Sequence, residues 1–148
     1  MTDRPSPGRD PWLLAAWLAP LPLWGMGVFW LNPAIDPLWP LHRPRELLFL
    51  VVFYPVVEEW LFRGLLQGWL LERPTLARAW HGWTGGNLIT ALIFTALHFL
   101  THPPLAAAAV LAPALVFGFF RDRYGTLRWP MLLHGWYNLG YFWIFASG

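Results

Sequence analysis

Residues 46–73 read ELLFLVVFYPVVEEWLFRGLLQGWLLER, and the reading of this run decides the fold. As a helix it is long enough to cross ~30 Å of hydrocarbon, which takes ~20 residues. Yet Glu58, Glu59 and Arg63 stand near its middle, where such a helix would be deepest. Each ionised group at a bilayer centre costs roughly 2.5–3.5 kcal/mol on insertion scales. A chain that keeps three of them together must recover that cost by pairing them, or use them for chemistry.

The rest of the composition agrees with a membrane setting. Apolar residues make up 57% of the chain and charged ones 12%, about half of the ~25% charged that soluble domains carry. Twelve Trp in 148 residues exceed what one globular core needs, whereas Trp suits the two membrane–water interfaces. The length fits one domain, spanning 1–148. With no Cys, disulfides and thiolate ligands are excluded. All ten basic residues are Arg, which suggests a GC-rich bacterial gene, and a net charge of +2 scattered in loops argues against nucleic acid as a partner. The lipid bilayer is the partner that composition implies.

Five apolar segments emerge, at 12–31, 47–71, 87–101, 105–120 and 130–146, after an exposed-looking start, MTDRPSPGRD. The expected fold is an all-α polytopic transmembrane bundle of about five helices around a polar intramembrane cavity. Thr84-Gly85-Gly86-Asn87 reads as the cap that opens the third segment. Pro20, Pro22, Pro55 and Pro113 fall inside helical segments, where a kink is tolerated if a neighbouring helix covers the freed carbonyl. The first segment is too long for a secretory h-region and lacks a clean small-x-small site, so it reads as an uncleaved span. With the N-terminus cytoplasmic, the inner loops hold Arg4, Arg9, Arg73, Arg78, Arg121, Arg123 and Arg128, and the outer ones only Arg43 and Arg45. That asymmetry puts the N-terminus inside, in a bacterial inner membrane.

Three segments carry polar residues at helical spacing: Glu58, Glu59 and Arg63; Phe94 and His98; His134 and Asn138. Residues four apart project from one face. At ~1.5 Å of rise per residue, His98, Asn138 and Glu58 lie roughly 12–20 Å from the cytoplasmic ends of their helices, depths that let them meet in one cavity. Glu59 and Arg63 have the acid on the N-terminal side, the favoured order for a helical ion pair. That leaves Glu58 as the acid for chemistry, in surroundings that suit a general base. His98 is placed to share the proton of a water or to fix its position. His134 and Asn138 offer N–H donors, as an oxyanion on a peptide carbonyl requires. Phe94 reads as packing against the site, and His42, His81 and His102 as solvated loop residues. Asp122, between Arg121 and Arg123, reads as loop electrostatics at a helix end.

Taken together, Glu58-Glu59-x-x-x-Arg63, Phe94-x-x-x-His98 and His134-x-x-x-Asn138 resemble the three motifs of the CAAX-protease and bacteriocin-processing (CPBP, or Abi) family. These are intramembrane endopeptidases that include the Ras-converting enzymes of eukaryotes. The resemblance implies that Glu58 and His98 activate water, that His134 and Asn138 form the oxyanion pair, and that Glu59 and Arg63 support them. It implies a membrane-associated protein or peptide as substrate, cut near its C-terminus or a juxtamembrane segment, and no cofactor. Family members usually carry more helices than this chain. Short ones resemble the proteases of bacterial C-terminal sorting-tail systems.

Two alternatives remain open on the sequence. Glu58, His98 and His134 match the ligand set of a catalytic Zn²⁺ site with one open position. Intramembrane acids and histidines also form proton relays or binding sites without hydrolysis, as an immunity-type protein would need. A relay tolerates loss of Asn138 and an oxyanion hole does not.

Overall fold

In the computed structural model, which describes residues 6–145, a 3-10 turn at Pro7–Arg9 leads into α1 (Pro11–Leu18) and α2 (Pro20–Leu31). After the short α3 (Trp39–His42), helical backbone continues from Pro44 to Leu71 in five parts. These are α4 (Pro44–Leu47), a π-helical stretch (Leu48–Phe53), α5 (Tyr54–Glu59), a second π-helical stretch (Trp60–Leu66) and α6 (Gln67–Leu71). Then come α7 (Pro74–Ala77), a hairpin of β1 (Ala79–Trp80) and β2 (Trp83–Thr84), α8 (Gly85–His98), α9 (Pro104–Ala109), α10 (Leu111–Tyr124) and α11 (Arg128–Phe145). Arg4 and Ala146, used above for orientation and for the end of the fifth segment, lie outside the described residues.

Each of the five apolar segments is helical, and two stretches, Pro11–Leu31 and Pro104–Tyr124, are long and apolar enough to cross a membrane. Four details differ from the sequence reading. The third helix starts two residues earlier, at Gly85, and stops at His98 instead of Thr101. The fourth continues past Phe120 to Tyr124 and ends where Gly125 turns left-handed at φ 66°. Asp10 is buried, not part of an exposed start, and its carboxylate caps α1 by accepting from the Trp12 N–H at 3.1 Å. The all-α expectation misses the hairpin, in which Trp80 pairs with Trp83. Its two central residues, His81 and Gly82, both have positive φ, 49° and 85°, as a tight two-residue hairpin turn demands.

The described residues form two compact units: 57–131, and 6–56 together with 132–145. In the second unit, side chains of α11 donate to backbone carbonyls, one of which proline has released. Pro20 has no N–H for the Ala16 carbonyl four residues back, and the Tyr137 hydroxyl donates to that oxygen at 2.8 Å. Trp136 Nε1 donates to the next carbonyl, Trp17, at 2.9 Å, and its ring packs on Trp17 and Trp24. Further along, Trp143 Nε1 donates to the Asp36 carbonyl at 3.0 Å. At Pro20, one of the prolines singled out in the sequence, the freed carbonyl is thus covered by a neighbouring helix. Gly140 admits the Trp24 ring, because a Cβ there would stand 2.1 Å from its Cζ2. Asp36 also caps the chain entering α3, accepting from Leu38 N–H and pairing with His42 at 2.7 Å. The hydrogen bond from His42 holds the Asp36 carboxyl below its ordinary value.

In the first unit, α8 and α10 pack along their lengths around Ala91, Phe94 and Ala114. Thr84 caps α8 as the sequence implied, its Oγ1 accepting from Asn87 N–H at 3.0 Å. The close approach depends on Gly118: a Cβ there would lie 1.9 Å from Asn87 Oδ1 and 3.0 Å from Gln67 Oε1. Gly118→Ala should therefore destabilise the fold by ~1–3 kcal/mol through overpacking. Gly25→Ala, which meets nothing within 4 Å inside α2, should leave the melting temperature in detergent at or slightly above the parent's, because alanine is the better helix former. Equal melting temperatures for the two variants would contradict the packing described.

Candidate active site

Glu59, Arg63 and Gln67 repeat every fourth residue, so one face of this helix carries an acid, a base and an amide in line. All three are fully buried. Glu59 Oε1 and Arg63 Nη1 are 3.1 Å apart, the ion pair that the spacing implied. Arg63 Nη2 also donates to the Ala114 carbonyl at 3.0 Å, and its guanidinium lies 4.6 Å from the Phe94 ring centre. One turn on, Gln67 Nε2 donates to the Gly118 carbonyl at 3.0 Å and to Asp122 Oδ1 at 2.7 Å. The partners at 114, 118 and 122 are themselves four apart, so two helices engage in register.

Asp122 is corrected by this arrangement. It is no loop residue: it sits in the last turn of α10 and accepts from Gln67 and, through Oδ2, from Thr84 Oγ1 at 2.7 Å. The flanking arginines suggested a solvated end, but Arg121 turns back to donate to the Arg63 carbonyl at 3.2 Å. Gln67, Thr84 and Asn87 went unread in the sequence as members of a polar network. The signal was present in the 59/63/67 and 114/118/122 spacings.

Glu58 is half-buried. Standing one residue before Glu59, it is turned ~100° around the helix from the buried ladder. His98, also half-buried, has Nδ1 2.8 Å from the Phe94 carbonyl. A carbonyl can only accept, so Nδ1 carries the hydrogen and the neutral ring presents Nε2 as its acceptor. Phe94 lies tilted against His98 at 4.5 Å, faces Phe62 edge-on at 4.9 Å and covers Arg63. It packs against these groups as expected, and joins the first two motifs physically.

Of the three loop histidines, His81 is a turn residue and is exposed. His42 ends α3 in contact with Asp36. His102 is exposed and bonded to Thr101, with its ring 5.3 Å from that of His98.

His134 and Asn138 lie on α11, in the second unit. His134 is buried, and Asn138 is half-buried with Nδ2 donating to the Leu50 carbonyl at 2.8 Å. The structure thus brings Glu59, Arg63, Phe94 and His98 together in one unit with Glu58, and seats the third motif in the other.

Glu59→Gln takes from buried Arg63 the carboxylate it is paired with. Breaking a buried pair from one side costs ~3–5 kcal/mol, whereas replacing both partners by apolar residues of similar volume is often near neutral. Melting in detergent should fall sharply for Glu59→Gln and much less for the double variant Glu59→Leu/Arg63→Met. A Glu59→Gln protein as stable as the parent would show that the pair contributes nothing.

A family model described as type II CAAX prenyl endopeptidase Rce1-like matches residues 40–140. An uncharacterized 24.3 kDa protein of Escherichia coli is 30% identical over 148 aligned residues, covering 80% of this chain. The chain spans 66% of that relative's length. No solved structure matches it. The family match covers more than half of the 148 residues and takes in every motif residue from Glu58 to Asn138, so the chain belongs to the Rce1-like family of type II CAAX prenyl endopeptidases.

Proposed function

We propose that this chain is an intramembrane endopeptidase that hydrolyses a peptide bond in a membrane-associated protein or peptide, near its C-terminus or a juxtamembrane segment. One observation carries the reading: half-buried Glu58 stands directly beside the fully buried Glu59–Arg63 pair, within the segment that the family model matches. The buried pair holds the helix in place, and the adjacent Glu58 carboxylate takes a proton from water. His98 assists through Nε2, its tautomer held by the Phe94 carbonyl. His134 and Asn138 supply hydrogens to the oxyanion that forms on the substrate carbonyl. In this reading water is activated without a metal ion.

The bilayer is the proposed setting. Large apolar side chains stand exposed on many sides, among them Phe29 at 80%, Leu100 at 79% and Leu105 at 86%. Only 17% and 28% of the two long apolar helices' most hydrophobic windows are buried. Apolar surface on that scale needs lipid to cover it. We place the protein in a bacterial inner membrane with the N-terminus cytoplasmic, the orientation that the arginine asymmetry supports. The preferred substrate carries a hydrophobic helical tail that anchors it beside the enzyme, since bacteria do not prenylate proteins.

The test uses purified protein in detergent and two internally quenched peptides, one farnesylated at a Cys near its C-terminus and one ending in a hydrophobic helix. Glu58→Gln keeps volume and hydrogen bonding but removes the base, so it should abolish cleavage with melting unchanged. Full activity in that variant would overturn the assignment. Millimolar EDTA or 1,10-phenanthroline should leave turnover intact. Loss on chelation, with recovery on adding Zn²⁺, would move the mechanism to the metal class.

A further inference from the structure

The Leu50 carbonyl is an unusual partner for the side chain of Asn138. In the π-helical stretch each N–H reaches back five residues, as the Tyr54 N–H does to the Phe49 carbonyl. The next donor in that ladder would be residue 55, reaching Leu50, but residue 55 is proline. Pro55 has no N–H, and its ring presses on the carbonyl four residues back, that of Val51. The Leu50 carbonyl is thereby left without a ladder donor, and the Val51 carbonyl is pushed off the helix axis. The helix α11 meets both. Asn138 Nδ2 donates to Leu50 at 2.8 Å, and Gly135 lies so near Val51 that a Cβ there would be 2.7 Å from its oxygen. All five residues belong to the same compact unit.

We infer that Pro55 is a positioning residue for hydrolysis, acting through the Leu50 carbonyl on the amide of Asn138; this rests on the oxyanion role proposed above. A primary amide carries two hydrogens in a fixed plane. With one held by Leu50, the amide cannot rotate or flip, and the second hydrogen is kept in a single direction. An amide preset in this way does not have to be ordered as the substrate carbonyl becomes an oxyanion, which is where a fixed donor gains most. Gly135 permits the approach that makes the contact.

The experiment compares the parent, Pro55→Ala, Asn138→Ala and the double variant, using the farnesylated and helix-tailed quenched peptides. Alanine restores an N–H to residue 55, so the Leu50 carbonyl turns back along the helix axis and releases Asn138. Turnover of Pro55→Ala should fall about tenfold at unchanged KM, since a misplacement of ~1 Å can cost up to ~100-fold. Asn138→Ala should lose ~10²–10³ in turnover, as for removal of one oxyanion donor. The double variant should be no slower than Asn138→Ala alone, because Pro55 acts only through that amide. Melting of Pro55→Ala should match or exceed the parent's, which a merely structural proline would not predict alongside a loss of kcat. The chain has three asparagines, so ¹⁵N-asparagine labelling in micelles resolves the Asn138 side-chain amide signal, and Pro55→Ala should shift it.

Parental turnover in Pro55→Ala, an unmoved Asn138 signal, or losses that multiply in the double variant would each overturn the inference. If Pro55→Ala fails to fold, Pro55→Ser supplies the same N–H and is judged by the same measures. Normal turnover in Asn138→Ala would overturn the oxyanion role itself, and this inference with it. A slow Asn138→Ala beside a normal Pro55→Ala would remove the inference alone.

Discussion

An arginine buried away from solvent constrains everything around it. Arg63 must have its charge answered, and the first unit answers it and receives one of its hydrogens. Glu59 answers the charge one turn before it, and the Ala114 carbonyl receives a hydrogen from α10. That second contact fixes the register between the two helices. With Ala114 set opposite Arg63, Gly118 and Asp122 fall opposite Gln67, and α10 must present a glycine where the backbones crowd. The Phe94 ring closes over the guanidinium and ties α8 to the same point. Buried ion pairs are weak evidence for stability but can specify a register, and here the register is what brings the first two motifs together.

A different constraint governs the second unit. Helix α11 carries Tyr137 and Asn138 against carbonyls that lost their donors to Pro20 and Pro55. Here the proline does not break the helix. It converts a backbone oxygen into a docking point, and the side chain that takes it decides how the neighbouring helix is rotated. The irregularity recurs in the other π-helical stretch, where Arg121 reaches the Arg63 carbonyl. Both stretches lie within three residues of Tyr54–Glu59, the helix that carries Glu58.

What could be read in advance depended on whether the partner was close in sequence. The Glu59–Arg63 pair and the Thr84 cap involve residues three or four apart, and helix geometry alone supplies them. The motif faces were legible for the same reason. Asp122 was misread because its neighbours in sequence are arginines while its partners, Gln67 and Thr84, are 55 and 38 residues away. The hairpin escaped notice because strands of two residues leave no periodicity, and the positive φ at His81 is not a feature that residue type announces. Asn138 showed its polarity and its face, but its bond to Leu50 depends on a tertiary approach that no local pattern encodes.

The reach of these contacts has a consequence for biosynthesis. The Ala16 and Leu50 carbonyls wait for side chains 121 and 88 residues further along the chain. At ~5–20 residues per second, a ribosome needs roughly 4–18 s to travel from Leu50 to Asn138. Throughout that interval two kinked apolar segments exist with oxygens that nothing downstream has yet covered. The final hydrogen bonding of these early segments therefore awaits the emergence of α11.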